Sequence, residues 1–366
     1  MTFTIRRAAL SGLALIGASA LVLSGCAAAP DETPDASGEP SASDFLACMV
    51  SDFGGFHDGS FNEAAYQGLL QAESDLGVTI KGVESKAAEE YVPNIEGLIS
   101  EGCDIIVSVG FNLATATRDL AKENPEQHFA LVDSALSNDD FSPLSLDNVK
   151  PLLFDTGQAS FLAGYLAAGV SKTGTVATYG GNPYPSVTIF MEGYAQGVDA
   201  YNAAHGTSVK VLGGDVFANT FEEPTAGQTL TEGFIAQGAD VIFPVAGLTG
   251  QGSGIAALAH DGVLVIGVDA DWFVNPLHAE YKSLLLTSVL KGLQISSFEA
   301  IKAAFEGSFD ATPYIGTLEN DGVGLADFHD QADAVSAELQ GELDALRDQI
   351  VSGELVITTG GTPTAG

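Results

Sequence analysis

Residues 51–68 are SDFGGFHDGSFNEAAYQG, and this stretch decides the fold. It follows FLACMV (45–50), an apolar run of strand length, and it opens a helical pattern that includes Phe61, Ala65 and Leu69. Between strand and helix lie glycines together with aspartate, serine and asparagine, which are common at helix N-termini. A strand, a glycine-rich turn and a helix in this order indicate an open α/β sheet, whose ligands bind at the carboxyl ends of the strands.

One aromatic residue, Phe56, lies in this loop of small and polar residues. Two interpretations are equally open: a hydrophobic plug over the first helix, or a contact with a ligand. Replacement by alanine separates them, because a plug contributes to stability whereas a ligand contact contributes to affinity.

The N-terminus has the pattern of an export signal. Basic residues precede an apolar run (8–23) and the tetrapeptide LSGC, so residues 1–25 are predicted to be a secretory signal rather than a spanning helix. LSGC resembles a bacterial lipobox, in which the cysteine, here Cys26, is lipidated; the alternative is an ordinary signal with a chance cysteine. Residues 26–44, rich in Ala, Pro, Ser, Asp and Glu, are predicted to be a disordered tether outside the cytoplasmic membrane.

The composition limits the number of domains in the folded body and the classes of partner that it can bind. About 320 residues follow the tether, which fits two domains. The net charge of −35 becomes −37 once the two arginines of the signal are removed. A polyanion of this kind does not bind nucleic acid or an anionic bilayer through its general surface, so the predicted contact with the membrane is only through the lipid on Cys26.

The motif content favours neither an enzyme nor a metal centre. Cys48 and Cys103 lie in or beside apolar strands and are predicted to be buried thiols rather than a disulfide or a metal pair. The sequence contains no CxxC, HExxH or GxSxG motif, and the adjacent Glu222 and Glu223 are interpreted as a solvated turn. We therefore expect no metal, no cofactor and no catalysis.

The body alternates strand-like and helix-like segments in two successive runs, the signature of parallel sheets covered by helices. The fold class is therefore α/β. The strand ends of the first run are Asp52, Gly110 to Asn112, and Asp133; those of the second are Tyr179 and Gly180, 217–221, 246–254 and 269–271. Two lobes that face each other across their strand ends form a cleft for a small ligand.

The order of elements also predicts where the chain crosses between the lobes. We expect crossings near Lys150, Leu290 and Thr312. Lobe one is then 45–150 with 288–311, lobe two is 151–287 with 312–358, and 359–366 is a tail.

Eight blocks in one order carry a resemblance that covers residues 45–358. The blocks are DFGGFHDGSFN (52–62), GCDIIVSVGF (102–111), FALVD (129–133), SFLAGYLAA (160–168), GADVIFPVAGLTGQG (238–252), VIGVDAD (265–271), LTSVLK (286–291) and NDGVGLA (320–326). The chain resembles the basic membrane protein family of bacterial lipoproteins, the nucleoside-binding proteins of ABC importers. The resemblance implies a type I periplasmic-binding-protein fold, in which two Rossmann-like lobes are joined by three crossovers.

The resemblance also implies a set of ligand contacts. The base of the ligand would lie between two aromatic rings, one being Phe56 and the other Phe221, with Phe217 as second choice. Offset stacking on such rings adds about 0.5 to 1.5 kcal/mol beyond area burial. The polar contacts implied are Asp52 and Asn62 in the first loop, Asp133 at the edge of the base, Asp269 and Lys291 at the ribose hydroxyls, and Gly247 to Gly252 beside the sugar.

Some of these residues can also be interpreted as structural, with no role in ligand binding. Asp269 could cap the next element, and His57 is interpreted as a surface histidine. Lys291 follows a nearly apolar run, which is unusual for a solvated countercharge in a chain with 13 Lys and Arg against 48 acidic residues. The glycine-rich loop GLTGQGSG (247–254) lacks the spacing of a phosphate-binding loop.

The resulting hypothesis is a monomeric, lipid-anchored solute-binding protein that captures purine nucleosides and delivers them to an ABC permease with its ATPase. The alternatives are a ligand-sensing or surface-interaction lipoprotein on the same fold, or an importer component for another solute such as a sugar.

Overall fold

The computed structural model describes residues 44–363, so the signal peptide, Cys26 and nearly all of the predicted tether lie outside the described residues. Two six-stranded sheets organise the described part. The first sheet contains β1 (Leu46–Ser51), β2 (Thr79–Glu84), β3 (Ile105–Val109), β4 (His128–Val132), β5 (Val149–Phe154) and β11 (Tyr314–Gly316). The second contains β6 (Thr175–Gly180), β7 (Lys210–Leu212), β8 (Val241–Val245), β9 (Leu264–Asp269), β10 (Leu285–Lys291) and β12 (Val323–Leu325).

The two sheets have the same strand order, displaced along the chain. The first runs β11-β5-β4-β3-β1-β2 with every pair parallel. The second runs β12-β10-β9-β8-β6-β7 and is parallel except for the short edge strand β12, which is antiparallel to β10. The predicted fold of two doubly wound lobes is confirmed.

Helices cover both faces of each sheet. They are α1 (Phe61–Leu76), α2 (Tyr91–Ser100), α3 (Ala114–Glu123), α4 (Thr156–Val170), α5 (Pro185–His205), α6 (Pro224–Ala236), α7 (Leu248–Leu258), α8 (Leu293–Phe305) and α9 (Ala337–Val351). In lobe one, α1 and α8 pack on one face and α2 and α3 on the other. In lobe two, α4 pairs closely with α5, and α6 with α7.

The α4–α5 contact fixes the start of α5 beside the cleft. A Cβ atom on Gly164 would overlap the carbonyl oxygen of Tyr194, and one on Gly197 would overlap that of Phe161. The backbones of the two helices approach each other so closely that only glycine fits at these positions.

The chain crosses between the lobes at Asp155, at Gly292 and along 317–322, because β5 and β11 pair in the first sheet and β10 in the second. These points lie a few residues beyond the boundaries predicted at 150, 288 and 312. Each crossing follows the last residue of a strand that pairs with its neighbour in the sheet. The sequence pattern does not mark that residue, which explains the difference.

The prediction of two separate buried thiols was wrong, because Cys48 and Cys103 form a disulfide. Strand β1 pairs directly with β3, and the amide of Asp104 donates to the carbonyl of Leu46 at 2.9 Å. This pairing brings the two Cα atoms to 5.9 Å, within the usual span of a disulfide.

Candidate functional site

The carboxyl ends of the two sheets face each other across a cleft that is partly open to solvent. Seven of the predicted site residues line it: Asp52, Asn62, Asp133, Phe221, Gly247, Asp269 and Lys291. They come from loops that follow β1, β4 and β8, from the first turn of α1, from the ends of β9 and β10 and from the loop before α6. The topology thus assembles residues that are up to 239 positions apart in the sequence, from Asp52 to Lys291.

Asp52 is the polar centre on the side of lobe one. Its two carboxylate oxygens accept from the amide of Asn62 at 3.2 Å and from that of Asn112 at 3.1 Å. Burial raises the pKa of Asp52 to about 7, and the two amide donors oppose that shift. A Cβ on Gly110, whose φ is 116°, would overlap the Asp52 carboxylate, so glycine is needed there.

A second carboxylate, Asp58, holds the start of α1 in place. It accepts backbone N–H groups of Ser60, Asn62 and Glu63 at 2.9 to 3.0 Å, which caps the helix from outside its first turn. Burial raises the pKa of Asp58. Among the described residues, the buried Oδ1 atom of Asn62 has no hydrogen-bond partner, although Asn62 lines the cleft. It is available to a donor on a ligand.

Lys291 joins the lobes electrostatically. Its Nζ atom donates to Asp133 Oδ2 at 2.6 Å and lies 3.9 Å from Asp269 Oδ1. Burial raises the pKa of both carboxyl groups, to about 6 for Asp269, and the Lys291 charge opposes the rise. Asp133 and Asp269 both have φ values near 65–70° (65° and 69°), a strained conformation for residues that end a strand. The backbone thus holds both carboxylates at the cleft.

Aromatic rings form the apolar surface of the cleft. Lys291 Nζ lies 5.1 Å from the ring centre of Phe61 and 5.2 Å from that of Phe190. Across the cleft, Phe111 of lobe one stacks on Tyr184 of lobe two with centroids 4.9 Å apart, and Tyr184 lies 5.9 Å from Phe221. Flat apolar faces therefore lie beside the buried carboxylates.

Direct hydrogen bonds connect the lobes at the front of the cleft. Ser60 Oγ donates to Asp269 Oδ2 at 2.8 Å, Gln251 Nε2 donates to the Asp58 carbonyl at 3.2 Å, and His278 Nε2 contacts the Gly59 carbonyl at 3.2 Å. These bonds can exist only when the lobes are together, so the structure is a closed form.

The whole body matches a known family. The family of PnrA-like ABC transporter substrate-binding proteins (Bmp) matches residues 45–359. This chain belongs to that family. Its members are extracytoplasmic solute-binding components of ABC transporters and are not enzymes.

Named relatives and a solved structure agree with this assignment. The chain is 28% identical over 373 residues to the ABC transporter nucleoside-binding protein BmpA of Lactococcus lactis, covering 95% of this chain and 97% of the relative. It is 28% identical over 363 residues to the CD4+ T-cell-stimulating antigen of Listeria innocua, covering 94% and 96%. An ABC transporter solute-binding protein of Aeropyrum pernix superposes with a TM-score of 0.77 at 26% identity, covering 87% of this chain and 94% of that one.

In this substrate-binding protein, Phe56 lies outside the cleft. Its ring is 5% exposed and stacks on Tyr66 with centroids 4.3 Å apart, and its amide donates to Glu84 at 2.8 Å. A Cβ on Gly82 would come within 2.9 Å of the ring, so β2 passes directly beneath it. The structure therefore places Phe56 as a plug between α1 and β2.

Other residues take positions that the sequence did not assign. Phe61, five residues after Phe56, lines the cleft, as do Phe111, Asn112 and Tyr184. The strand-end pattern had placed Phe111 and Asn112 at the correct edge, whereas no signal distinguished Phe61 from a core residue of α1. Of the two candidate rings in lobe two, Phe221 lines the cleft and Phe217 packs against Gly180 outside it.

The predicted loop 247–254 is mostly helix, since α7 begins at Leu248. Gly252 and Gly254 face the backbone of Pro224 and the ring of Tyr281, so these glycines permit close helix packing rather than a phosphate loop. Gly247, with a φ of 54°, turns the chain into the helix and lines the cleft. His57, Glu222 and Glu223 are exposed.

The groups that line the cleft are suited to binding a small molecule. Within residues 44–363, no group of three or more His, Cys, Asp or Glu side chains is placed to hold a metal ion. The same residues include no helix long and apolar enough to cross a membrane. The cleft offers buried acceptors, one paired ammonium group and flat apolar faces, which together fit a neutral molecule with a planar part and several hydrogen-bond donors.

Proposed function

We propose that the cleft binds a purine nucleoside such as inosine, guanosine or adenosine. The observation that carries this proposal is the combination, in one cleft, of aromatic faces with the Asp133–Lys291–Asp269 cluster. A nucleobase supplies a flat ring for the aromatic faces, and a ribose supplies hydroxyl donors for carboxylate oxygens. The Lactococcus relative is named a nucleoside-binding protein, which supports the same ligand class.

The charge of the cleft supports a nucleoside over a nucleotide. Four buried carboxyl groups, Asp52, Asp58, Asp133 and Asp269, face one ammonium group, and that group is already paired. Burial raises the pKa of each carboxyl group, which reflects the cost of keeping so many negative charges away from water. A phosphate would add negative charge to this environment and is expected to bind poorly.

The proposed role is delivery of the nucleoside to an ABC permease by a monomer that is anchored through lipid on Cys26. Because ligand contacts come from both lobes, ligand binding favours the closed form, and a permease can distinguish the two forms by shape. Ligand sensing without transport, or a different solute such as a sugar, are the competing functions.

Isothermal titration of the purified protein tests the ligand. We expect heat from inosine, guanosine and adenosine, and little or none from hypoxanthine, inosine 5′-monophosphate or D-ribose. A response to D-ribose or another sugar alone would replace the nucleoside proposal with a sugar-binding one. Small-angle scattering on the same samples should show a smaller radius of gyration with inosine than without it, and an unchanged radius would contradict hinge closure.

A further inference from the structure

A second cavity, partly open to solvent, adjoins the cleft on the side of the crossovers. It shares the Lys291–Asp133 pair with the cleft, together with Phe111 and Ser186. We call it the rear cavity. Its other walls come from both lobes and from the C-terminus: Ser134, Ala135, Leu153, Phe154, Thr156, Pro185, Ile189 and residues 360–363. The ion pair therefore lies between the cleft and the rear cavity and lines both of them.

The C-terminal wall is residues 359–363, which we call the tail segment. Four of its five residues lie beyond the part of the chain that matches the family. The Gly360 amide donates to Glu192 Oε2 at 2.7 Å, and just before the segment Gln196 donates to the Thr358 carbonyl at 3.1 Å. Glu192 and Gln196 both lie on α5, so these bonds attach the tail segment to lobe two.

The tail segment is fitted closely to the first turn of α5. A Cβ atom on Gly361 would overlap the carbonyl oxygen of Pro185 and lie 3.0 Å from Ile189 Cβ. A Cβ on Gly360 would instead meet only the Glu192 carboxylate, at 3.5 Å. Two adjacent glycines therefore differ sharply in whether they accept a side chain.

The tail segment is one wall of the partly open rear cavity, so its loss would widen the route by which water reaches the ion pair. The Lys291 side chain is 2% exposed and that of Asp133 10%. Thr156 Oγ1 is buried on the same wall and has no hydrogen-bond partner among the described residues, so the wall also presents a polar atom. Entry of water raises the local dielectric and weakens the attraction between Lys291 and Asp133.

We propose that the tail segment is the rear wall of the ligand site and slows ligand release by keeping water from the Lys291–Asp133 pair. The segment moves with lobe two and faces lobe one across the rear cavity, so it closes this side of the site when the lobes come together. Only the choice of ligand rests on the proposed function; the wall itself rests on the contacts described above.

The test compares Gly361→Ala, which displaces the tail segment, with a chain that ends at Thr358 and with the control Gly341→Ala, an exposed position of α9 where a Cβ atom meets nothing within 4 Å. The dissociation rate of labelled inosine is measured in a chase with unlabelled inosine. We expect release to be about three- to tenfold faster in Gly361→Ala and in the shortened chain, since changes at a binding site act mostly on dissociation. Gly341→Ala should match the wild type. Equal rates in all four proteins would overturn the proposal, and Gly361→Ala decides if the shortened chain does not fold.

Hydrogen–deuterium exchange separates failure of this proposal from failure of the nucleoside proposal. If inosine does not bind the wild type, the nucleoside proposal fails, and the ligand-free proteins decide the role of the tail segment. Faster exchange of residues 153–157 and 291–293 in Gly361→Ala than in Gly341→Ala would support the wall. The same exchange in both would overturn it.

Discussion

Lobe one contributes most of the polar groups of the cleft, whereas lobe two contributes most of its apolar residues. From lobe one come the carboxylates Asp52, Asp58 and Asp133 and the amides Asn62 and Asn112, together with the rings of Phe53, Phe61 and Phe111; from lobe two come Tyr184, Phe190, Phe221 and 245–248, with Asp269 and Lys291 as its charged groups. Both sheets have the same strand order, so topology alone does not produce this difference. It comes from the short loops after the strands, which are free to differ between lobes.

The difference indicates how the two lobes divide recognition. Buried polar groups discriminate strongly between ligands, because a group left without a partner costs free energy. Apolar surface contributes affinity with less discrimination. We therefore expect lobe one to select the ligand and lobe two to hold it, with Lys291 connecting the two sets.

Lys291→Met should have the largest effect, because it breaks the connection between the lobes. Removing the ammonium group leaves Asp133 and Asp269 buried without a counter-charge, which costs about 3–5 kcal/mol of unfolding free energy. Nucleoside affinity should fall as well. Urea unfolding and titration measure the two losses. The control is Lys302→Met, whose partner Glu299 lies 3.8 Å away at the surface; a similar loss there would refute a special role for Lys291.

The aromatic residues should separate affinity from stability. Phe221→Ala should cost about 2–4 kcal/mol of binding free energy if its ring is a central anchor, with little change in the melting temperature. Phe56→Ala should do the reverse and lower the unfolding free energy by about 3 kcal/mol, because it leaves a hole between α1 and β2. Phe217→Ala, outside the cleft, is the control for lobe two. If Phe56→Ala instead has normal stability and reduced affinity, the Phe56 ring contacts the ligand.

Asp52→Asn should remove a pH dependence that originates in lobe one. The pKa of Asp52 is raised to about 7 in the folded protein, so near neutral pH the folded state holds a proton that the unfolded state has released. The free energy of unfolding therefore falls as the pH rises toward 7. Between pH 6 and pH 8 this loss is about 1.4 kcal/mol. Asparagine is neutral at both values, so the variant should lose less stability over that interval by this amount. An equal loss of unfolding free energy between pH 6 and pH 8 in both proteins would contradict the raised pKa.

The sequence predicted the elements of the cleft that follow from the parallel sheet. Once the strands were assigned, Asp52 and Asp133 had to meet at one edge of the first sheet and Asp269 had to lie at the corresponding edge of the second, because parallel strands end on the same side. Lys291 stood out for a different reason, as a charge at the end of an apolar run in a strongly acidic chain. These predictions required no knowledge of loop conformation.

The aromatic residues of the first loop could not be placed in this way. Phe56 lies within, and Phe61 just after, a loop in which Gly54, Gly55 and Gly59 all have positive φ values. Those three residues decide which ring faces the sheet and which faces the cleft, and glycine allows too many conformations for the sequence to specify the result. The disulfide was missed for a related reason, since its cysteines meet only through the register of β1 against β3.

The bond between Cys48 and Cys103 has a consequence for how the protein is made. Cys48 is fully buried and Cys103 is 4% exposed, both in the core covered by α2 and α3. Oxidants reach these thiols only before that core is sealed, so the bond has to form during folding and in an oxidising compartment. Protein that folds under reducing conditions buries two free thiols instead and stays chemically different from the oxidised form. The folded bodies of the two forms have the same sequence and differ in mass only by the two thiol hydrogens.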